Sequence, residues 1–160
     1  MGLMGNPGTN GANGATGPQG PAGPEGFLYS FNFISPNSMA TYYAAPNQTS
    51  SLLADNQTLN GSGIINAVVL PAACTVQFLK VGAYNFDGSA SDTSTFTVLH
   101  NGSANSPSMS CSVTTAANAK ATCADTSHTF SAAAGDTLTI QMTQTNDAPE
   151  VLWSGFLACY

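Results

Sequence analysis

The sequence predicts an all-β protein: a sandwich-like head preceded by a polyproline-II stem. Three observations predict it. Glycine falls at every third position through residue 26, the pattern then switches to short runs of alternating apolar and polar residues, and turn-forming residues separate those runs.

The stem comes first. Glycine stands at Gly2, Gly5, Gly8, Gly11, Gly14, Gly17, Gly20, Gly23 and Gly26, enclosing eight complete Gly-X-Y triplets. Pro7 takes a Y position, and Pro18, Pro21 and Pro24 take X positions. Three polyproline-II chains wound together leave room at their axis for a hydrogen atom only, so every third residue has to be glycine. Proline adds a pre-set φ that lowers the entropy lost on ordering. A flexible Gly/Asn/Pro linker is the rival reading, but a linker has no reason to keep glycines in phase. Residues 1–26 are therefore expected to be one strand of a collagen triple helix, roughly 70 Å long at about 3 Å per residue. Glu25 is its only charge, so interchain ion pairs cannot strengthen it. Such a stem needs something else to bring three chains into register.

Residues 27–160 are expected to supply that. Leu28–Ile34 opens with alternating aromatics, and Gly63–Leu70 and Cys74–Phe86 are longer apolar stretches. Phe96 and Val98 alternate with Thr95 and Thr97, and Leu138, Ile140 and Met142 with Thr137, Thr139, Gln141 and Thr143, which is the period-two signature of a strand with one buried face. Asp87-Gly88, Asn101-Gly102 and Gly135-Asp136 are turn signals. Ala116–Ala121 is the best helical candidate, and it lacks amphipathic spacing. Many short strands at intervals of about 8–12 residues read as a β-sandwich, a jelly roll included.

The last strand is the most informative. Val151, Trp153, Leu157 and Cys159 fall on one face, and Leu152, Phe156, Ala158 and Tyr160 on the other. A sandwich strand normally keeps one wet face. Here both faces are apolar, so the second is expected to meet another subunit, with Leu152, Phe156 and Tyr160 as trimer-interface candidates. A central strand covered by a loop is the alternative.

Composition excludes several functions. Only 6% of residues are charged, against roughly 25% in typical soluble domains. Arginine is absent, Lys80 and Lys120 are the two basic residues besides histidine, and the net charge is −6. Phosphate binding needs clustered cations, so nucleic acid is not an expected partner. Anionic membrane surfaces are disfavoured for the same reason, and no apolar run approaches the roughly 20 residues that span a bilayer. A surface of Ser, Thr, Asn and Gln suits an extracellular protein or one on a cell, spore or virion surface.

Four cysteines in such a chain suggest two disulfides. Of the three possible pairings, Cys111 with Cys123 encloses eleven residues of turn-like composition, which leaves Cys74 with Cys159. Zinc ligation lacks the paired Cys-x-x-Cys spacing, and an interchain bridge through Cys159 is a further possibility. His100 and His128 sit in no nucleophile or metal motif, and His100 before Asn101-Gly102 reads as a strand-end residue. Asp87, Asp92 and Asp136 could offer oxygens to calcium, but without EF-hand-like spacing they read as turn carboxylates. No catalytic constellation stands out, so neither enzyme activity nor a cofactor is expected.

Three stretches carry a family resemblance. Phe96–Gly102 looks like a strand running into an Asn-Gly turn, Ala134–Ile140 like a Gly-Asp turn leading into a penultimate strand, and Trp153–Leu157 like an aromatic-Ser-Gly-Phe-Leu final strand. In order and spacing they resemble the collagen-like members of the complement and tumour-necrosis-factor jelly-roll superfamily, most narrowly its bacterial and phage representatives. The resemblance implies a ten-strand jelly roll, a tight homotrimer and a surface role in adhesion or coating. The expected function is thus a homotrimeric fibre or filament component whose head registers the stem. The alternative is an adhesin or receptor-binding head, for a glycan or host surface, on a collagen stalk.

Overall fold

The computed structural model describes residues 1–11, 13–14, 26–34, 41–46, 53–54, 67–85, 91–144 and 151–160. Among them every regular element is a β-strand, and the strands form two antiparallel sheets. The strands are β1 (Phe27–Ile34), β2 (Thr41–Ala44), β3 (Leu53–Ala54), β4 (Val68–Val69), β5 (Cys74–Asn85) and β6 (Asp92–His100). The chain continues through β7 (Ser103–Ala104), β8 (Ser110–Thr115), β9 (Lys120–Asp125), β10 (Phe130–Ala132), β11 (Thr137–Gln144) and β12 (Val151–Cys159).

The first sheet runs β1-β12-β5, and the far edge of β5 is shared by β10 at its start and β9 further along. The second runs β3-β2-β11-β6, with β4 also on β11 and with β7 and β8 sharing the outer edge of β6. The chain changes sheet repeatedly: β1 lies in the first, β2–β4 in the second, β5 in the first, β6–β8 in the second, β9 and β10 in the first, β11 in the second and β12 in the first. A sandwich results, with its core between the sheets.

Alternation builds that core. Leu138, Ile140 and Met142 of β11 and Phe96 and Val98 of β6 point inward, as their spacing predicts, and are fully buried. Val151, Trp153 and Leu157 meet them from β12. In β5 the inward set changes parity, from Cys74 and Val76 to Leu79, Val81 and Ala83. The cause is a bulge: Ala158 pairs with Phe78 but Cys159 with Val76, which leaves Gln77 as the extra residue. Gly155 of β12 has its own steric reason. A Cβ there would meet the Lys80 carbonyl oxygen at 2.5 Å and the Phe31 ring, so glycine lets buried Phe31 of β1 lie across the strand.

Ala116–Ala121, the best helical candidate, is not a helix. Ala119 N–H donates to the Ala116 carbonyl at 3.1 Å, Asn118 has φ 53°, and Lys120 already pairs with Tyr84 in β9. Strand pairing overrides alanine's weak local preference. The Asn101-Gly102 signal does form a two-residue hairpin turn, with φ values of 51° and 82° between the paired residues His100 and Ser103.

All four cysteines are paired. Cys111–Cys123 joins β8 of the second sheet to β9 of the first, with Cα atoms 5.7 Å apart, so it staples one sheet to the other. Cys74–Cys159 links the neighbouring strands β5 and β12 beside the bulge, with Cα atoms 5.6 Å apart. These are the pairings expected above, and they fit an oxidising, extracellular environment. Among the described residues no helix is long and apolar enough to cross a membrane.

Candidate functional site: the outer face of the first sheet

The two outer faces of the sandwich differ in chemistry. On the second sheet, hydroxyls face solvent in a ladder: Thr93 bonds Thr114 at 2.8 Å and Thr95 bonds Ser112 at 2.7 Å, between β6 and β8. Gln141 Nε2 donates to the Tyr43 hydroxyl at 3.1 Å on the same face. Water can cover such a surface at little cost.

The outer face of the first sheet instead carries exposed apolar side chains among polar ones. Register sets its rows: Leu28 beside Ala158 and Phe78, Ser30 beside Phe156 and Lys80, Asn32 beside Ser154, Gly82 and Thr122, and Leu152 beside Tyr84 and Lys120. Phe78 and Phe156 meet diagonally, their rings tilted by 37° with centroids 5.2 Å apart. Leu28 is 65% exposed, Leu152 39% and Tyr160 55%. At Gly82 the face is hollowed: a depression of about 460 Å³ lies between Tyr84, Lys120 and Leu152, and another of about 310 Å³ between Lys80, Ser154 and Phe156. Both lysines of the chain stand here, with Lys120 Nζ 5.5 Å from the centre of the Tyr84 ring.

The three interface candidates read from the terminal strand are thus brought onto one face. Sequence reasoning missed their neighbours on β5 and β9, namely Phe78, Lys80, Gly82, Tyr84 and Lys120. The available signal was β5 itself, which like β12 carries apolar side chains at both parities.

The other residues weighed for chemistry tie turns together. His100 Nε2 lies 2.7 Å from Asp136 Oδ2, Asn101 Nδ2 donates to Asp136 Oδ1 at 2.9 Å, and Ala133 N–H donates to Oδ2 at 2.8 Å. Asp136 so locks the β6–β7 turn to the turn before β11. Asn101, His100 and the Ala133 amide, in that order, hold its carboxyl down at about 2. Asp125 is buried, which alone would raise its pKa, but the His128 ring and the amides of Ser110, His128 and Ser127 outweigh burial and hold it well below the usual range. Asp92 is buried in β6 and accepts bonds from Ser94 Oγ at 2.5 Å and Gln144 Nε2 at 3.1 Å. Asp87 lies outside the described residues, and among those described no three His, Cys, Asp or Glu side chains form a group able to hold a metal ion.

Of the glycines expected at a triple-helix axis, Gly17, Gly20 and Gly23 lie outside the described residues. Residues 1–11, 13 and 14 are exposed and carry neither helix nor strand. A Cβ on Gly2, Gly5, Gly8, Gly11 or Gly14 would meet nothing within 4 Å, and none of the five has the positive φ that favours glycine. Compared with family models, curated proteins and solved structures, the chain finds no match.

Proposed function

We propose that the protein is an extracellular, homotrimeric structural protein, a fibre or filament component in which residues 1–26 form a collagen-like stem and residues 27–160 a jelly-roll head that trimerises and registers it. The observation that carries this reading is the unexplained glycine. The chain keeps glycine at every third position of the stem, yet at the five described positions before residue 15 it offers neither a crowded neighbour nor a left-handed backbone to require one. The requirement then comes from outside the chain, and the axis of a triple helix imposes it.

Two further features support the reading. The repeated exchange of strands between two antiparallel sheets is the habit of a jelly roll. The stem also runs directly into β1, an edge strand of the sheet whose outer face exposes Leu28, Leu152 and Tyr160. Large apolar side chains exposed together on one face mark an interaction surface. Three copies associating through it would hold three copies of Phe27 close together, which raises the effective concentration of the stems to about the millimolar range.

Substituting Gly14→Val tests this. Within a single chain a Cβ added there meets nothing within 4 Å. The proposal expects the triple-helix circular dichroism of the full chain to be lost while the head keeps its mass. A Gly14→Val protein with the same stem signal and melting as the parent would refute it.

A further inference from the structure

Gly26 differs from the other described stem glycines. A Cβ placed on it would run into Cδ1 and Cε1 of the Tyr160 ring. A steric reason for this glycine therefore lies within the chain itself. Gly26 opens a ninth triplet whose next two residues, Phe27 and Leu28, are already paired with Cys159 and Ala158 as a β-strand, a geometry the polyproline-II helix cannot share.

Tyr160 itself is firmly placed. Its N–H donates to the Thr75 carbonyl at 2.9 Å, and the Thr75 N–H donates to the Tyr160 carbonyl at 2.5 Å. The preceding residue, Cys159, is bonded to Cys74 of the same neighbouring strand. The backbone beneath the ring is therefore tied to β5 on both counts, while the ring stays 55% exposed and reaches back over the stem's last glycine.

We propose that the Tyr160 ring is the seat of the stem on the head: it fixes where and in which direction the chain leaves the sheet at Gly26, and Gly26 is glycine because of Tyr160 rather than because of the helix axis. This rests on the reading of residues 1–26 as a triple helix. In the trimer three such rings surround the base of the stem. They reduce the freedom of the three chain ends before the first triplet winds, which is preorganisation at the point of nucleation.

A double-substitution cycle on the full chain tests it, using Gly26→Ala, Tyr160→Val and the pair, with Tyr160→Phe as the conservative variant. Valine keeps an apolar β-former on the strand but removes the ring atoms that a Cβ on residue 26 would strike. Stem melting is followed by circular dichroism, and chain number by sedimentation. Each single substitution should lower the stem midpoint by about 5 °C or more, the pair should be no worse than Tyr160→Val alone, and Tyr160→Phe should match the parent. Additive losses in a three-chain protein would show that Gly26 answers to the axis and would overturn the proposal, as would a Tyr160→Val stem that melts like the parent. A one-chain Tyr160→Val head would place the ring in the head interface instead and overturn it equally. A parent protein that is itself one chain without stem signal would remove the underlying trimer reading, a separate result.

Discussion

Trp153 of β12 meets Phe96 of β6 edge to face across the two sheets, with ring centroids 4.3 Å apart and both side chains fully buried. Emptying that contact leaves a cavity between the sheets. Trp153→Ala is expected to cost about 3–5 kcal/mol, measured by urea unfolding at fixed chain concentration. A loss below about 1 kcal/mol would place the core elsewhere.

The two disulfides should contribute unequally. Cys111–Cys123 spans 12 residues and Cys74–Cys159 spans 85. In the chain-entropy picture the short loop is worth about 3 kcal/mol and the long one about 4–5 kcal/mol. Paired Cys→Ser replacements should therefore lower the thermal midpoint in both cases, and further for Cys74 and Cys159. The opposite order would show that the sheet-to-sheet staple outweighs loop closure.

How far the sequence could be read follows from what a pattern carries. Period two marks Leu138, Ile140 and Met142 as one face, and the double-sided β12 points outward as well as inward, because burial acts on each residue locally. Partners are another matter. Nothing local says that β8 and β9, only four residues apart, belong to different sheets, so the sheet-to-sheet character of Cys111–Cys123 was not legible. Nor does one extra residue announce itself: the bulge at Gln77 exchanges the faces of β5 and places Lys80 and Tyr84 beside Phe156 and Leu152.

Acid should weaken the head through Asp136. Its carboxyl titrates at about 2 in the fold against an ordinary 3.8, so the ionised form is favoured by folding. That contribution is complete above about pH 4 and is lost as the pH falls towards about 2, because protonation then costs less in the unfolded chain. Urea midpoints taken across this window should fall steeply for the parent and less steeply for Asp136→Asn. Parallel slopes would remove Asp136 from the account.

The outer face of the first sheet should be sensitive where the hydroxyl face is not. Phe156→Asp is expected to weaken association of the head by about 30-fold or more, the weight of a central interface side chain. Thr95→Asp, on the opposite face, should leave association within about twofold. Equal effects from the two would mean that the outer face of the first sheet is not where copies meet.

Sedimentation equilibrium of the full chain under oxidising conditions at micromolar concentration decides whether three copies assemble. A single species of three 16.2 kDa chains is expected, undissociated by dilution over that range and carrying a triple-helix signal. A stable species of one chain would contradict it.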